Sequence, residues 1–390
     1  MTQVNNLLAK LQALATDLGF NLLEREVAIQ AALLALLTGE HILFLGPPGT
    51  AKSLLARGLC ARIEGGRYFE RLLTRFSTPE ELFGPLSISA LERDEYRRVT
   101  SGTLVEAHVA FLDEVFKANS SILNSLLGIL NERVYHENGQ AQPVPLLSLV
   151  GASNELPEDS SLAALFDRFL LRVSLPYVSD DQNFVRLLDL EPKAPGACIT
   201  IDELKAAQEL VRKVPLSQNA RDALLTLRHE LAAEGVQASD RRWAACARLV
   251  KARAWLEGES EALSDHAEVL VHALWSEPAQ VRTVERVVGK VTNPLALEAV
   301  ELEDAARDLF DQKPKPDQAD LAPALEPLLR QLADIHTRLE QRILQAPERR
   351  TFRAKQALGR IETWHRELGR LALKSISRLH VAPGGPEPGW

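Results

Sequence analysis

The segment that most constrains this chain is an apolar run that leads into a glycine- and proline-rich loop and then into a helix-forming stretch. The run ends at Leu45, and the residues that follow read Gly46-Pro47-Pro48-Gly49-Thr50-Ala51-Lys52-Ser53. In a strand–loop–helix unit of this kind, backbone N–H groups point inward around phosphates, and the positive end of the helix faces the same ligand. We therefore expect a buried strand over His41–Leu45, a helix over Ser53–Glu64 and a phosphate-binding loop between them.

The residues expected to surround the phosphates of a bound nucleotide are Gly46, Pro47, Pro48, Gly49, Thr50, Ala51, Lys52, Ser53 and Leu54. Lys52 would reach the β- and γ-phosphates, and the Ser53 hydroxyl would take one Mg²⁺ position. Ala51 stands where this motif has a glycine, and its methyl group is a small intrusion. A chance Gly-Pro turn is the alternative, and the strand and helix patterns on either side argue against it.

A second apolar run, about sixty residues further on, ends in two carboxylates. Val109–Leu112 is followed by Asp113 and Glu114, which is how a buried parallel strand carries acids to its carboxyl edge. We predict that Asp113 holds Mg²⁺ and that Glu114 polarises an attacking water molecule. A solvated strand end would look the same in isolation, but the loop at Lys52 favours the catalytic interpretation.

Length and composition are those of a globular protein with more than one domain. The 390 residues are 46% hydrophobic and 25% charged, and the formal net charge of −8 disfavours non-specific binding to nucleic acid. The three cysteines, Cys60, Cys198 and Cys246, are odd in number and lack metal-ligand spacing, which indicates a reducing compartment. We expect a cytoplasmic protein without a signal peptide or a membrane span.

Strand and helix patterns divide the chain into three parts. The predicted fold class is α/β: a parallel sheet sandwiched by helices over residues 1–190, then an all-helical domain over 200–300, then a C-terminal helical hairpin over 318–380. The expected strands of the sheet are Ile42–Leu45, Tyr68–Leu72, Val109–Leu112, Leu146–Ser153 and Leu170–Ser174.

The C-terminal part contains two runs with heptad spacing, which predict two helices that pack on each other or on another chain. The seam positions are Leu321, Leu325, Leu328, Leu332, Ile335 and Leu339, then Ile361, Trp364, Leu368 and Leu371. The second helix is rich in arginine and lysine, which fits either a solvated face or a docking surface for an acidic partner. We expect the linker Asp311–Asp320 to be flexible and the Gly- and Pro-rich tail Val381–Trp390 to be disordered.

Several ordered blocks resemble the MoxR branch of the AAA+ ATPases, and some resemble its RavA subgroup. The first set comprises Phe111–Asn119, Ile122–Leu127 and Asn131–Arg133; the RavA-like set comprises Thr74–Glu81, Phe83–Ile88, Ser153–Pro157 and Ser239–Trp243. The resemblance covers roughly residues 5–290. It implies an AAA+ nucleotide-binding domain followed by a helical lid. The chain departs from the RavA pattern at its end, where the further discrete domain of that subgroup has no counterpart.

The resemblance also implies residues that complete the site. Asn154 matches the sensor-1 polar residue, although an ordinary turn asparagine is the alternative. Arg168, within Leu165–Phe169, matches the arginine finger that an adjacent subunit supplies. Arg172 is the fallback for this role, but its place inside a strand favours a structural salt bridge.

Two further assignments rest on the same resemblance. Arg241 matches the sensor-2 arginine of the lid, and the adjacent Arg242 cannot be separated from it by sequence. Leu23, in the segment Leu22–Arg25, would lie beside the adenine of the nucleotide.

The family carries an insert in its second helix, which here falls between Phe83–Leu86 and Arg97–Leu104 as a short strand pair around a charged turn. A second hairpin is expected at Tyr135–Pro145, with its turn near Glu137–Gly139. Both could push on a client in the pore of a ring or could be passive surface hairpins.

For function, the resemblance implies an Mg²⁺-dependent ATPase that binds ATP and ADP and assembles as a hexameric ring. The family theme is a chaperone that remodels or matures protein complexes, paired with a von Willebrand factor A protein. A nucleic-acid motor or loader is the first alternative, and a nucleotide-dependent assembly switch is the second.

Overall fold

The computed structural model describes residues 2–137, 140–157, 160–191, 193–314, 321–346 and 350–379. The chain forms two compact units, Met1–Val284 and Glu285–Trp390. In the described part of the chain, none of the helices is long and apolar enough to cross a membrane.

The first unit is built on a sheet of five parallel strands. The strands of this unit, which also include two small two-stranded sheets, are listed here in chain order: β1 (His41–Leu45), β2 (Ile63–Glu64), β3 (Tyr68–Leu72), β4 (Val109–Asp113), β5 (Val134–Glu137), β6 (Gln140–Pro143), β7 (Ser148–Ser153), β8 (Phe169–Ser174) and β9 (Ile199–Thr200). The five strands of the main sheet follow the order β3-β4-β7-β1-β8, and each neighbouring pair is parallel. All five strands of the expected parallel sheet are thus confirmed.

Helices cover this sheet, and their apolar residues provide most of the core. The helices of the sheet domain are α1 (Thr2–Gly19), α2 (Glu26–Thr38), α3 (Lys52–Cys60), α4 (Pro79–Phe83), α5 (Ile88–Leu91), α6 (Ser120–Glu132), α7 (Ser160–Arg168) and α8 (Asp181–Leu188). The strands β1, β4 and β7 are almost wholly buried, as expected for parallel strands that are covered on both faces. The AAA+ fold predicted from the sequence is therefore present.

The lid follows as a group of helices that pack around buried aliphatic residues. They are α9 (Ile201–Lys213), α10 (Gln218–Ala233), α11 (Asp240–Leu256) and a 3₁₀ helix (Ser264–His272). The next helix, α12 (Val281–Thr292), begins in the first unit and continues into the second. Side-chain oxygens of Thr200, Ser217 and Ser239 cap α9, α10 and α11, which explains why the helices begin where they do.

The second unit contains three long helices, where the sequence had indicated a hairpin of two. They are α13 (Pro294–Asp311), α14 (Leu321–Gln345) and α15 (Phe352–Leu379). The predicted seams are confirmed, since Leu325, Leu339 and Leu368 are fully buried. Only six residues separate the end of α14 from the start of α15, and His336 contacts Glu362 at 3.1 Å, so the two helices run antiparallel.

The helix α13 was expected to lie partly in the lid, but it packs against both α14 and α15. Its Glu298 accepts hydrogen bonds from Arg338 at 2.9 Å and Arg342 at 2.8 Å, and Glu303 pairs with Arg360 at 2.8 Å. Part of the basic charge near the C-terminus is therefore neutralised within the unit. Residues 315–320 of the linker and the tail Val381–Trp390 lie outside the described residues.

The two predicted hairpins differ in regularity. Leu86 and Arg98 form a single antiparallel bridge that encloses the short helix α5, so the insert is less strand-like than expected. The strands β5 and β6 pair antiparallel as expected, and the turn residues 138 and 139 lie outside the described part of the chain.

Candidate active site

The phosphate-binding loop starts at the carboxyl end of β1, where Gly46 passes under the chain that leaves β8. Its backbone adopts φ +154°, and a Cβ atom there would lie 2.3 Å from the Leu175 carbonyl oxygen. Leu175 N–H donates to the Leu45 carbonyl at 2.7 Å, and Gly46 N–H donates to the Ser153 carbonyl at 3.1 Å. Only glycine fits this crossing, which fixes the start of the loop to two other strands.

Ala51 stands where the motif has a glycine, and this difference affects the backbone conformation more than the space that the side chain fills. Ala51 lies in the left-handed region, at φ +67° and ψ +24°, immediately before α3 begins at Lys52. A residue with a Cβ atom in this conformation costs roughly 1 kcal/mol relative to glycine. The loop conformation is kept in spite of the substitution, so Lys52 and Ser53 still open the helix.

Lys52 folds back over the loop that precedes it. Its ammonium group donates to the carbonyls of Gly46 at 2.6 Å and Pro47 at 2.9 Å. Burial lowers the pKa of Lys52, and the negative charges of Asp113 and Glu114 oppose that shift. The amine is thus aimed at the concave side of the loop and has two carboxylates in its electrostatic field.

Arg25 ties the loop to the chain beyond β8, a role that sequence analysis did not assign. The side chain is 4% exposed, and it donates to the carbonyls of Thr50 at 3.1 Å and Pro176 at 2.7 Å. Burial lowers the pKa of Arg25, and the neighbouring Glu24 and Glu26 counter this effect. No motif marks such a contact, because its acceptors are main-chain carbonyls that lie far apart in the sequence.

The two acids end β4, on the same edge of the sheet as the loop. Glu114 has a left-handed backbone at φ +52°, and its N–H donates to an Asp113 carboxylate oxygen at 3.0 Å. A non-glycine residue in this conformation is a sign of a functional turn. The Glu114 carboxylate lies 3.4 Å from the Lys117 ammonium.

The groups at this edge fit an Mg²⁺ ion bound with a nucleotide. Ser53 and Asp113 offer a hydroxyl and a carboxylate, the hard oxygen donors that Mg²⁺ prefers, and phosphate oxygens and water would complete the shell. The strand β7 lies between β4 and β1, so the exposed Asn154 follows it between the acids and the loop.

The segment proposed to receive the adenine is only partly available to a ligand. Leu22 and Leu23 are 2% and 8% exposed. Glu24 accepts hydrogen bonds from the backbone N–H groups of Ser179 at 2.9 Å and Asp180 at 3.0 Å. These two bonds lower the pKa of Glu24 to about 2. Glu24 therefore anchors the start of α8.

The predicted arginines lie at the opposite, amino edge of the sheet. Arg168 ends α7 directly before β8, and the first residues of β8 and β1 pair as Phe169 and His41. Five residues of β1 separate this edge from the loop, a rise of roughly 16 Å. Arg168 therefore cannot reach the phosphate-binding loop of its own chain.

A cavity of about 600 Å³ opens at the amino edge, between the sheet and the lid helix α11. Its basic lining includes Arg168, Arg212, Arg241 and Arg248. Burial and the charge of Arg241 lower the pKa of Arg168, whose side chain is 22% exposed. Its Nε atom is buried and has no acceptor among the described residues.

One carboxylate organises these cations, and sequence analysis gave it no role. Asp167 accepts from Arg241 at 2.9 Å and from Arg242 at 3.0 Å, and it lies 3.5 Å from Arg168. Arg242 is 5% exposed and also donates to the carbonyl of Ala273 at 2.7 Å, whereas Arg241 is 54% exposed. The structure thus separates the adjacent arginines. Arg242 is a buried link from the lid helix α11 to the sheet domain, where it donates to the Leu170 carbonyl of β8 at 3.2 Å, and Arg241 faces the cavity.

Arg172, the fallback for the arginine finger, is a core residue. It is 1% exposed, donates to the carbonyls of Phe166 and Phe169 at 3.2 Å and to that of Trp275, and lies 3.9 Å from the centre of the Phe166 ring. The expected salt bridge is replaced by main-chain acceptors and ring stacking, which satisfy a buried guanidinium without an acid.

Comparison with known proteins agrees with this architecture. A family model for the MoxR domain in the MoxR-vWA-beta-propeller ternary systems matches residues 9–194, and an AAA lid domain model matches residues 220–288. An uncharacterized protein of Methanocaldococcus jannaschii is 42% identical over 304 residues, which cover 77% of this chain and 81% of that protein.

Two more distant matches carry names. The chaperone MoxR1 of Mycobacterium tuberculosis is 26% identical over 188 residues, or 47% of this chain and 49% of that protein. The crystal structure of a candidate ATPase from Cytophaga hutchinsonii has a TM-score of 0.61 and 17% identity, and the match covers 74% of this chain and 95% of that one. The structural likeness supports the fold, and the sequence matches define the relationship. The chain belongs to the MoxR family of AAA+ ATPases.

Proposed function

We propose that this protein hydrolyses ATP with Mg²⁺ at a site shared between adjacent copies of the chain. One copy would supply the phosphate-binding loop and the acids, and its neighbour would supply Arg168 and Arg241. The observation that carries this proposal is that these two sets lie at opposite edges of one parallel sheet.

At the loop edge, the chain's own groups bind and orient the triphosphate. Backbone N–H groups of the loop and the ammonium of Lys52 hold the phosphates, with Lys52 exchanging its carbonyl partners for phosphate oxygens. Ser53 and Asp113 would hold Mg²⁺, which would neutralise charge that develops on the phosphates. Leu23 and Leu54 would border the nucleotide.

Glu114 is the group proposed to polarise the attacking water. Its turn conformation places the side chain at the end of β4, where the Lys117 ammonium lies 3.4 Å from the carboxylate. Asn154 would orient the water or donate to the γ-phosphate from the neighbouring strand.

At the amino edge, Arg168 has the properties required of a group that acts on another copy. Its buried Nε lacks an acceptor among the described residues, and its planar guanidinium matches the equatorial oxygens of a leaving phosphoryl group. Asp167 holds Arg241 beside Arg168, so both cations would reach the nucleotide of the neighbouring copy together. We propose a closed ring, with six copies as in the family, as the assembly that makes every site complete.

The output of hydrolysis is proposed to be chaperone-like remodelling of protein complexes in the cytoplasm, together with a von Willebrand factor A partner. The matching domain model is described from systems that include such a partner, and one relative is named a chaperone. Membership of the RavA subgroup remains a prediction from the sequence blocks.

Mixing two inactive variants tests the shared site. The Arg168→Ala variant keeps Asp113 and Glu114, and the Glu114→Gln variant keeps Arg168. An interface is therefore intact when an Arg168→Ala copy supplies the phosphate-binding loop and a Glu114→Gln copy supplies the arginine. In a random equal mixture, about a quarter of the interfaces would be complete, and turnover should return to that order. Arg228→Ala, a change at an exposed arginine of α10, is the matched control and should behave as the wild type.

The same experiment includes a concentration series of the unmodified protein, whose specific ATPase activity should rise as copies associate. Turnover that is independent of concentration, together with no recovery in the mixture, would show that each chain works alone. Activity of Glu114→Gln within about tenfold of the wild type would remove Glu114 from its proposed role, because loss of a general base costs roughly 10²-fold or more.

A further inference from the structure

The helix α8 and the residue Tyr177 before it carry a group of apolar side chains on the protein surface. The α8 surface comprises Tyr177, Phe184, Val185, Leu187 and Leu188, which are 44–68% exposed. We propose that it is the docking surface for a second copy of this chain, against the arginine-lined cavity at the amino edge of that copy. This inference rests on the shared site proposed above.

The exposure of these side chains is unusual for a helix of this kind. All eight residues of α8 are exposed or half-exposed, and Phe184, Leu187 and Leu188 fall on one side at spacings of three and four. An isolated helix of two turns is not stable in water, and apolar packing normally holds it to the protein. Here the apolar side faces solvent, which marks an interaction site.

Polar contacts hold α8 in place instead. Asp180 caps its first turn, and Glu24 accepts from the backbone N–H groups of Ser179 and Asp180. The side chain of Asn183 also donates to Glu24 at 3.3 Å. The helix is therefore attached through its amino end, which leaves its apolar side free to bury against something else.

These contacts place α8 next to the phosphate-binding loop. The chain that leads into it crosses directly over Gly46 at Leu175, and Arg25 joins the Pro176 carbonyl to the Thr50 carbonyl of the loop. Any second copy that brings its Arg168 to the nucleotide must approach this edge of the sheet, and α8 lies on that route.

Charge and chemistry favour a second copy over other occupants. Residues 180–191 carry four carboxylates, Asp180, Asp181, Asp189 and Glu191, against the single Arg186. The cavity at the amino edge is lined by more cations than acids: Arg168, Arg212, Arg241 and Arg248 lie there with the two carboxylates Glu40 and Asp167. Glu40 pairs with Arg248, and Asp167 is shared by Arg168 and Arg241, so the lining keeps an excess of positive charge. Arginine suits this mixed surface, since its guanidinium pairs with carboxylates and stacks on rings such as those of Tyr177 and Phe184.

The test compares the double variant Phe184→Ser/Leu188→Ser with the unmodified chain. We expect the protein concentration that gives half-maximal specific ATPase activity to rise about tenfold or more, because two half-exposed apolar side chains are lost from the interface. Binding of a fluorescent ATP analogue, and the maximal rate at saturating protein, should change by no more than about twofold. Leu225→Ser, at a 53% exposed leucine of α10, is the matched control.

A measurement on the unmodified protein covers the case in which the double variant fails to fold. Hydroxyl-radical labelling of Tyr177 and Phe184 should fall when the protein is concentrated with ATP, whereas labelling of Leu225 should not. Unchanged labelling of both rings in an assembled sample would overturn the proposal.

The outcomes separate this inference from the shared site. If the Arg168→Ala and Glu114→Gln mixture recovers activity while the double variant assembles like the wild type, the α8 proposal is wrong and the shared site stands. If the double variant weakens nucleotide binding about tenfold without altering assembly, the surface covers the nucleotide and the proposal is again wrong. If no mixture recovers activity and turnover does not depend on concentration, both proposals fail.

Discussion

Replacing Asp167 by asparagine removes the charge that holds the arginines of the amino edge together. The carboxylate accepts from Arg241 at 2.9 Å and from Arg242 at 3.0 and 3.3 Å. Asparagine keeps one acceptor oxygen, but it turns an N–H₂ group toward one of the two cations. Asp167→Asn should therefore release Arg241 and allow Arg168 to move away from its position.

The size of the effect follows from burial. Arg242 is almost fully buried, but Asp167 is 41% exposed, so each charged contact is worth about 0.5–1 kcal/mol in water-screened surroundings. Loss of the negative charge from the contacts with Arg241 and Arg168 amounts to about 1–2 kcal/mol, or roughly a 5–30-fold decrease in the population with both arginines in place. We expect kcat to fall by that factor. Nucleotide affinity should not change, because the carboxylate lies at the edge of the sheet away from the loop.

Steady-state ATPase activity at saturating protein, with the Kd of a fluorescent ATP analogue, measures the two quantities separately. Asp167→Glu retains the charge and should recover part of the rate. Asp240→Asn is the control, since that carboxylate is 94% exposed in the same region. Wild-type kcat in Asp167→Asn, or a loss confined to nucleotide affinity, would refute the role of Asp167 as a positioning residue.

Four further predictions follow from the packing. Arg172→Met keeps the side-chain volume but removes the donors to three carbonyls, and it should lower the free energy of unfolding by roughly 2–4 kcal/mol in urea titrations; a loss below about 0.5 kcal/mol would contradict that account. Ala51→Gly should raise stability by about 1 kcal/mol and leave turnover within about twofold, and destabilisation would show that the left-handed backbone is not strained. The pKa of Glu24 is depressed to about 2, so its contribution to stability is complete above its ordinary pKa near 4.5 and is lost as the pH falls toward 2; acid titrations of Glu24→Gln should lack this part of the loss. A chain that ends at Asn293 should retain concentration-dependent ATPase activity, whereas one that ends at residue 317 exposes the apolar side of α13, including Leu302 and Phe310, and should aggregate in size-exclusion chromatography.

The sheet and the loop edge were predictable because their signals are local. Runs of strand length marked the five parallel strands, and they are mainly apolar except Tyr68–Leu72, which contains Glu70 and Arg71. The glycines around Lys52 and the acids after Leu112 marked the ends of two of the strands. The spacing of leucines likewise placed the buried seams of α14 and α15. Each of these patterns involves residues that lie close together in the sequence.

What could not be predicted depends on contacts between distant residues. Arg25 reaches Thr50 and Pro176 through their carbonyls, which every residue possesses, so the side chain is identified only by the fold. The distinction between Arg241 and Arg242 arose from which of them turns toward Ala273. The helix α13 joined the C-terminal unit through pairs such as Glu298 with Arg342, and neither residue type indicates its partner.

The separation of the loop and the arginine cavity to opposite edges of one sheet gives each copy a polarity. If Arg168 acts on a neighbour, two copies that meet through like edges of their sheets complete no site. Contacts must then run head to tail, and such an interface either closes or continues as a filament. A linear assembly always has, at one end, a nucleotide site that lacks a neighbouring arginine and, at the other end, an Arg168 that contacts no nucleotide. Closure makes all sites equivalent, so one impaired copy in a closed assembly disables its own site or the site it serves and leaves the remaining interfaces intact.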